Sequence, residues 1–184
     1  DLITDGDCDG SAQTFQLGYL AASGKFDGWA KEVRISKGTP RYTSNFTPST
    51  APLTTTSQGV SAGKVSLLTC QSSKFVDNST NVSTITTNGT PKVATQNPFG
   101  LNSGQSYFFD GTGDWLTIPA SPNLTFGTGD FTIEFWVRNN GTNSVNARIM
   151  GNIASSGATW NANKWAMGTN AWTPTGGYFF FSVY

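Results

Sequence analysis

Three carboxylates stand at alternate positions in Asp5-Gly6-Asp7-Cys8-Asp9-Gly10, and a turn built that way gathers hard oxygen donors on one side, as calcium requires. Asp5, Asp7 and Asp9 are the candidate metal ligands, and calcium is the candidate ion. Position twelve of this loop is Gln16, where a helical calcium loop carries a bidentate Glu, and no flanking helices are evident. A solvated Asp/Gly hairpin is therefore the competing reading. Glycoside hydrolysis needs two carboxylates flanking one bond, about 5 to 5.5 Å apart for retention and farther apart for inversion. Glu32 and Glu134 are the only glutamates, and each falls in a separate apolar-polar alternation. Glu134 reads as a solvated or cross-strand-paired carboxylate. No histidine occurs, which excludes a Ser-His-Asp nucleophile, a Cys-His pair and a His-containing zinc site. Catalysis is not expected. Trp160, Trp165 and Trp172 lie among Asn161, Asn163, Asn170 and Thr173, a composition suited to stacking and hydrogen bonding with a sugar. Tryptophan in a sandwich also serves as core, and the sequence leaves both uses open.

These residues are carried on a chain of 184 with 11 basic and 11 acidic side chains. Such a balance offers no electropositive face for nucleic acid or an anionic membrane. Charged residues are only 12% of the chain, yet aromatic residues are 13%, enough apolar surface to exclude disorder. Cys8 and Cys70 are too few for a disulfide scaffold; burial of Cys70 as a small hydrophobe is favoured over a Cys8–Cys70 bridge. No apolar run spans a bilayer, so membrane insertion is not expected. Without a start signal, the chain reads as an excerpt from something longer. Asn-x-Ser/Thr triplets at Asn45, Asn78, Asn81, Asn88, Asn123 and Asn140 fit an extracellular surface.

Period-two alternation recurs and no capped helical stripe does, which predicts all-β structure. In Asp130–Arg138, Phe131, Ile133, Phe135 and Val137 share one face, with Thr132, Glu134, Trp136 and Arg138 on the other. Residues Trp115–Ile118 form a second strand, entered from Tyr107-Phe108-Phe109 through a predicted tight hairpin at Asp110-Gly111-Thr112-Gly113-Asp114. Trp29–Ser36 and Tyr178–Tyr184 are further strands. The Ser/Thr/Pro-rich stretch from Thr47 to Gly63 lacks periodicity and is the linker candidate. It divides residues 1–57 from residues 64–184.

Ser106-Tyr107-Phe108-Phe109-Asp110-Gly111-Thr112-Gly113-Asp114-Trp115-Leu116-Thr117-Ile118-Pro119, followed by Asn123-Leu124-Thr125-Phe126-Gly127-Thr128-Gly129-Asp130-Phe131-Thr132-Ile133-Glu134-Phe135-Trp136-Val137, resembles the opening strands of the laminin-G-like, concanavalin A-like superfamily. Lys25-Phe26-Asp27-Gly28-Trp29-Ala30-Lys31-Glu32-Val33-Arg34-Ile35 resembles its closing strands. The order is end first and beginning second, like the junction between repeats in phage and aquatic bacterial appendage proteins. The resemblance implies an antiparallel two-sheet jelly-roll sandwich, either permuted or completed by a neighbouring repeat or subunit. It also implies partners that are glycans or matrix components, in some members through calcium. The expected function is a non-catalytic structural or adhesive module of an extracellular, cell-surface or virion fibre, with neighbouring copies and surface glycans as partners. A filament subunit polymerising by strand exchange and a carbohydrate-active hydrolase are the alternatives.

Overall fold

Where apolar and polar residues alternate, one face of a strand seeks cover, and two such sheets satisfy each other by packing face to face. The computed structural model describes residues 14–18, 24–99, 104–141, 147–152, 165–173 and 176–183. In chain order its strands are β1 (Phe15–Leu17), β2 (Asp27–Lys37), β3 (Val65–Thr69), β4 (Thr86–Asn88), β5 (Lys92–Ala94), β6 (Ser106–Asp110), β7 (Trp115–Ile118), β8 (Phe131–Asn139), β9 (Ala147–Gly151), β10 (Trp165–Thr173) and β11 (Gly176–Val183). One sheet runs β11-β10-β9-β1-β7-β4; the other runs β3-β2-β6-β5, with β8 along the opposite edge of β2. Every strand pairing is antiparallel. The fold is thus an all-β two-sheet sandwich, as the alternation predicts. Among the described residues no helix is long and apolar enough to cross a membrane.

Phe15, Leu17, Leu116, Ile118, Ile149 and Trp165 from the first sheet meet Ala30, Val33, Ile35, Leu67, Tyr107 and Phe109 from the second in one buried core. Strands on both sides of the 1–57 and 64–184 division build it. From the earlier segment, β1 lies between β7 and β9, and β2 is central in the second sheet.

The eleven-residue β2 changes partner midway. Asp27 to Ala30 pair with β6, and Val33 to Ser36 pair with β3. Between them Glu32 takes a left-handed φ of 55°, an uncommon conformation for a residue with a Cβ. Its N–H donates to the carbonyl of Cys70 at 3.1 Å. This bulge inserts one residue, so that Ala30 and Val33, three apart rather than two, both enter the core.

Two local expectations are corrected. The Asp110–Asp114 turn is not a hairpin, because β6 belongs to one sheet and β7 to the other; it is a corner. Asp110 Oδ1 accepts from the N–H of Thr112 at 2.8 Å, and Asp114 Oδ2 accepts from Asp110 N–H at 3.2 Å. Side-chain capping thus replaces the ladder bonds a hairpin would supply. The Thr47–Gly63 stretch is not a free linker but a strap over the second sheet. Leu53 and Val60 bury with Val65 and Leu68 in a second small core.

Candidate functional site

The two glutamates fix the outer face of the second sheet. Register places Arg34 of β2 opposite Glu134 of β8, and alternation turns both side chains away from the core. Arg34 Nε lies 2.8 Å and Nη2 2.7 Å from Glu134 Oε2. Glu134 Oε1 accepts the Tyr42 hydroxyl. Burial, reinforced by this hydrogen bond to Glu134, pushes the Tyr42 phenol up to about 12. Arg34 Nη1 donates to the carbonyls of Thr54 at 2.8 Å and Ser57 at 2.9 Å, which clasps the strap to the sheet. Arg34 is fully buried, and burial of such a charge is tolerable because Glu134 pairs with it while Nε and Nη1 both donate to acceptors.

Glu32 holds the strap at the neighbouring residue, Leu53. Its Oε2 accepts from Leu53 N–H at 2.9 Å and from Gln71 Nε2, while Oε1 lies 2.9 Å from Lys31 Nζ. Each glutamate therefore has its own ion pair, and Glu32 bonds the strap directly whereas Glu134 is linked to it through Arg34. Glu134 is cross-strand paired, one of the two arrangements the alternation predicts. Cys70, beside the bulge, is a free buried thiol, pushed up by burial.

The predicted ligand residues fare differently. Asp5, Asp7, Asp9 and Trp160 lie outside the described residues, as does the side chain of Trp172 on β10. Trp165 is corrected. It is fully buried, its ring centroid 5.3 Å from Phe126, 5.7 Å from Phe181 and 6.0 Å from Phe15. These rings occupy the faces that a sugar would need. Among the described residues no three His, Cys, Asp or Glu side chains gather as a metal site. Asp77 and Asp114 are buried, and both are spent on backbone N–H groups, Asp77 on Leu68, Ser79 and Ser83, and Asp114 on Thr90 and Asp110.

A different aromatic surface is present on the outer face. Trp29 sits opposite Arg138, and Lys31 opposite Trp136. The Trp29 ring packs on Phe108 at 4.9 Å, with the Arg138 guanidinium 5.4 Å from its centroid. Trp136 meets Phe99 edge-on at 5.5 Å. Together with Gln96, Asn97 and Pro98 these indoles line a cleft of about 140 Å³. Trp136 also borders a larger groove of about 410 Å³ on its other side, with Tyr42, Phe46 and Pro48. Sequence reasoning passed over these residues, although the β8 alternation already placed Trp136 and Arg138 together on the polar face.

Both sheets end on a long strand paired on one edge only among the described residues: β8, of nine residues, and β11, of eight. Phe131 of β8 and Phe181 of β11 are 6.1 Å apart, so the two edges lie on the same side of the sandwich. Phe131, Ile133, Phe135, Val137, Phe181 and Val183 between them are only partly buried.

No protein-family model matches the chain, and neither a curated protein nor a solved structure does.

Proposed function

We propose that this chain is a non-catalytic structural and adhesive module of an extracellular, cell-surface or virion fibre, joined to neighbouring copies or repeats along its strand edges. The observation that carries this reading is the pair of edges β8 and β11 flanking a partly covered apolar row. An edge of that length is a template for another strand. The filament alternative draws on the same feature, because residues 165–184 hold no charged side chain of the kind that blunts edges. Hydrolysis draws no support from Glu32 and Glu134, each held in its own ion pair. Kinship with the laminin-G-like superfamily, and calcium at Asp5, Asp7 and Asp9, enter the proposal on the sequence alone.

Light scattering across a concentration series, with electron microscopy of the same samples, tests the assembly. Association that grows with concentration is expected, with β8 and β11 amides gaining protection from hydrogen exchange in the assembled material. A monomer at every concentration whose β8 and β11 amides are already protected would overturn it.

A further inference from the structure

The indoles of Trp29 and Trp136 are half-buried and held from behind or beside by Phe108 and Phe99. A rigid ring with one face toward a cleft presents apolar area at little cost in conformational entropy, and a saccharide covers it with C–H groups while its hydroxyls seek amides. Gln96 and Asn97 stand at the rim for that purpose. Charge narrows the ligand further. The lining includes Lys31 and Arg138 and no carboxylate. Lys31 is occupied by Glu32 and by the Gln105 carbonyl at 3.1 Å. Arg138 is exposed, and its Nη1 donates to Gln96 Oε1 at 3.0 Å, leaving further N–H donors in a fork that matches a carboxylate. Because Trp136 also borders the Tyr42 and Phe46 groove, where the one lining carboxylate, Glu134, is neutralised by Arg34, a ligand seated on Arg138 continues past the indole.

We infer that this face binds an acidic oligosaccharide, with one carboxylate on Arg138 and successive sugar rings passing over Trp136 toward Tyr42 and Phe46. The inference rests on the adhesive half of the proposed function and gives it a site and a ligand class. It places recognition on β2 and β8 rather than on Trp160, Trp165 and Trp172.

The test is calorimetric titration of the full chain with a galacturonic acid hexasaccharide and with a neutral glucose hexasaccharide of equal length. The acidic ligand is expected to bind at least about tenfold more tightly, a difference of about 1.4 kcal/mol, and the preference is expected to shrink as added salt screens Arg138. Trp136→Ala should weaken the acidic ligand about tenfold or more. Arg138→Gln should erase the preference for it, and Arg138→Lys should restore part. Trp136→Phe keeps a ring and covers the case in which Trp136→Ala fails to fold. Equal binding of both hexasaccharides, affinity unchanged in folded variants, or no binding at all overturns the inference. Scattering on the same samples separates the two readings: a wild-type chain that assembles without binding either sugar sinks only the site, and one that binds without assembling sinks only the edge-joined module.

Discussion

Tyr42 keeps its phenolic proton because ionisation beside Glu134, in a partly desolvated position, is unfavourable. Its raised value of about 12, against an ordinary 10.0, has a signed consequence. The unfolded chain loses this proton first as pH rises, so the contribution to stability is complete below pH 10 and lost between 10 and 12. Denaturation at fixed steps through that window is expected to show a decline that Tyr42→Phe reduces. An identical decline in the variant would assign the effect to other groups. Tyr42 also shows what single residues conceal, since nothing near it in sequence announces a partner on β8. Trp165 concealed its role for the same reason. Its asparagine-rich surroundings suited a sugar platform, whereas its actual neighbours are Phe181 on the next strand and Phe15 and Phe126 from distant segments. Asp110 was legible only as a turn residue: the Thr112 N–H that holds its carboxyl below the usual range lies within the same glycine turn, but that turn is a corner and not the predicted hairpin.

The strap is the element whose stability depends most on one side chain. Arg34→Ala leaves Glu134 without its ion partner and removes the guanidinium donor to the Thr54 and Ser57 carbonyls, a loss expected to cost about 3–5 kcal/mol. Glu134→Gln leaves the fully buried Arg34 without its counter-ion and should cost a comparable amount, but it keeps the Arg34 bonds to the strap carbonyls. Urea denaturation measures both losses, and limited proteolysis should cut Arg34→Ala within 47–63 well before the parent chain. Equal protection of that stretch in both would show that the clasp does not hold it. Alternation made the strands legible: β7 matches its expected bounds, and β8 is displaced by one residue. The connections were not. A glycine turn reads alike whether it closes a hairpin or carries the chain to the facing sheet, and Thr-rich sequence reads alike whether solvated or pinned. The left-handed Glu32 was equally hidden, because it is imposed by the change of partner from β6 to β3.

For the molecule as a whole, the edges decide between solitary sandwich and assembly. Phe179 is 47% exposed on β11, and Phe179→Lys puts a charge on an otherwise uncharged strand. The variant should keep the parent fold by circular dichroism and shift association to higher concentration. Unchanged association would direct the interface to β8. The place of β2 in its sheet also governs the order in which the chain can be finished. Its partners β3, β6 and β8 all follow it, and Arg34 leaves the ribosome 100 residues ahead of Glu134. At roughly 5–20 residues per second that is a wait of roughly 5–20 s, during which β2 has no β8 along its second edge and a buried arginine has no counter-ion. Nascent chains arrested before β8 emerges should remain protease-sensitive around β2, and those arrested after it should not; protection in the shorter chains would mean that another segment shelters β2 until its partners arrive. Synthesis thus exposes the future centre of the sheet first, and a cell making this protein must keep that strand from strangers until the chain itself encloses it.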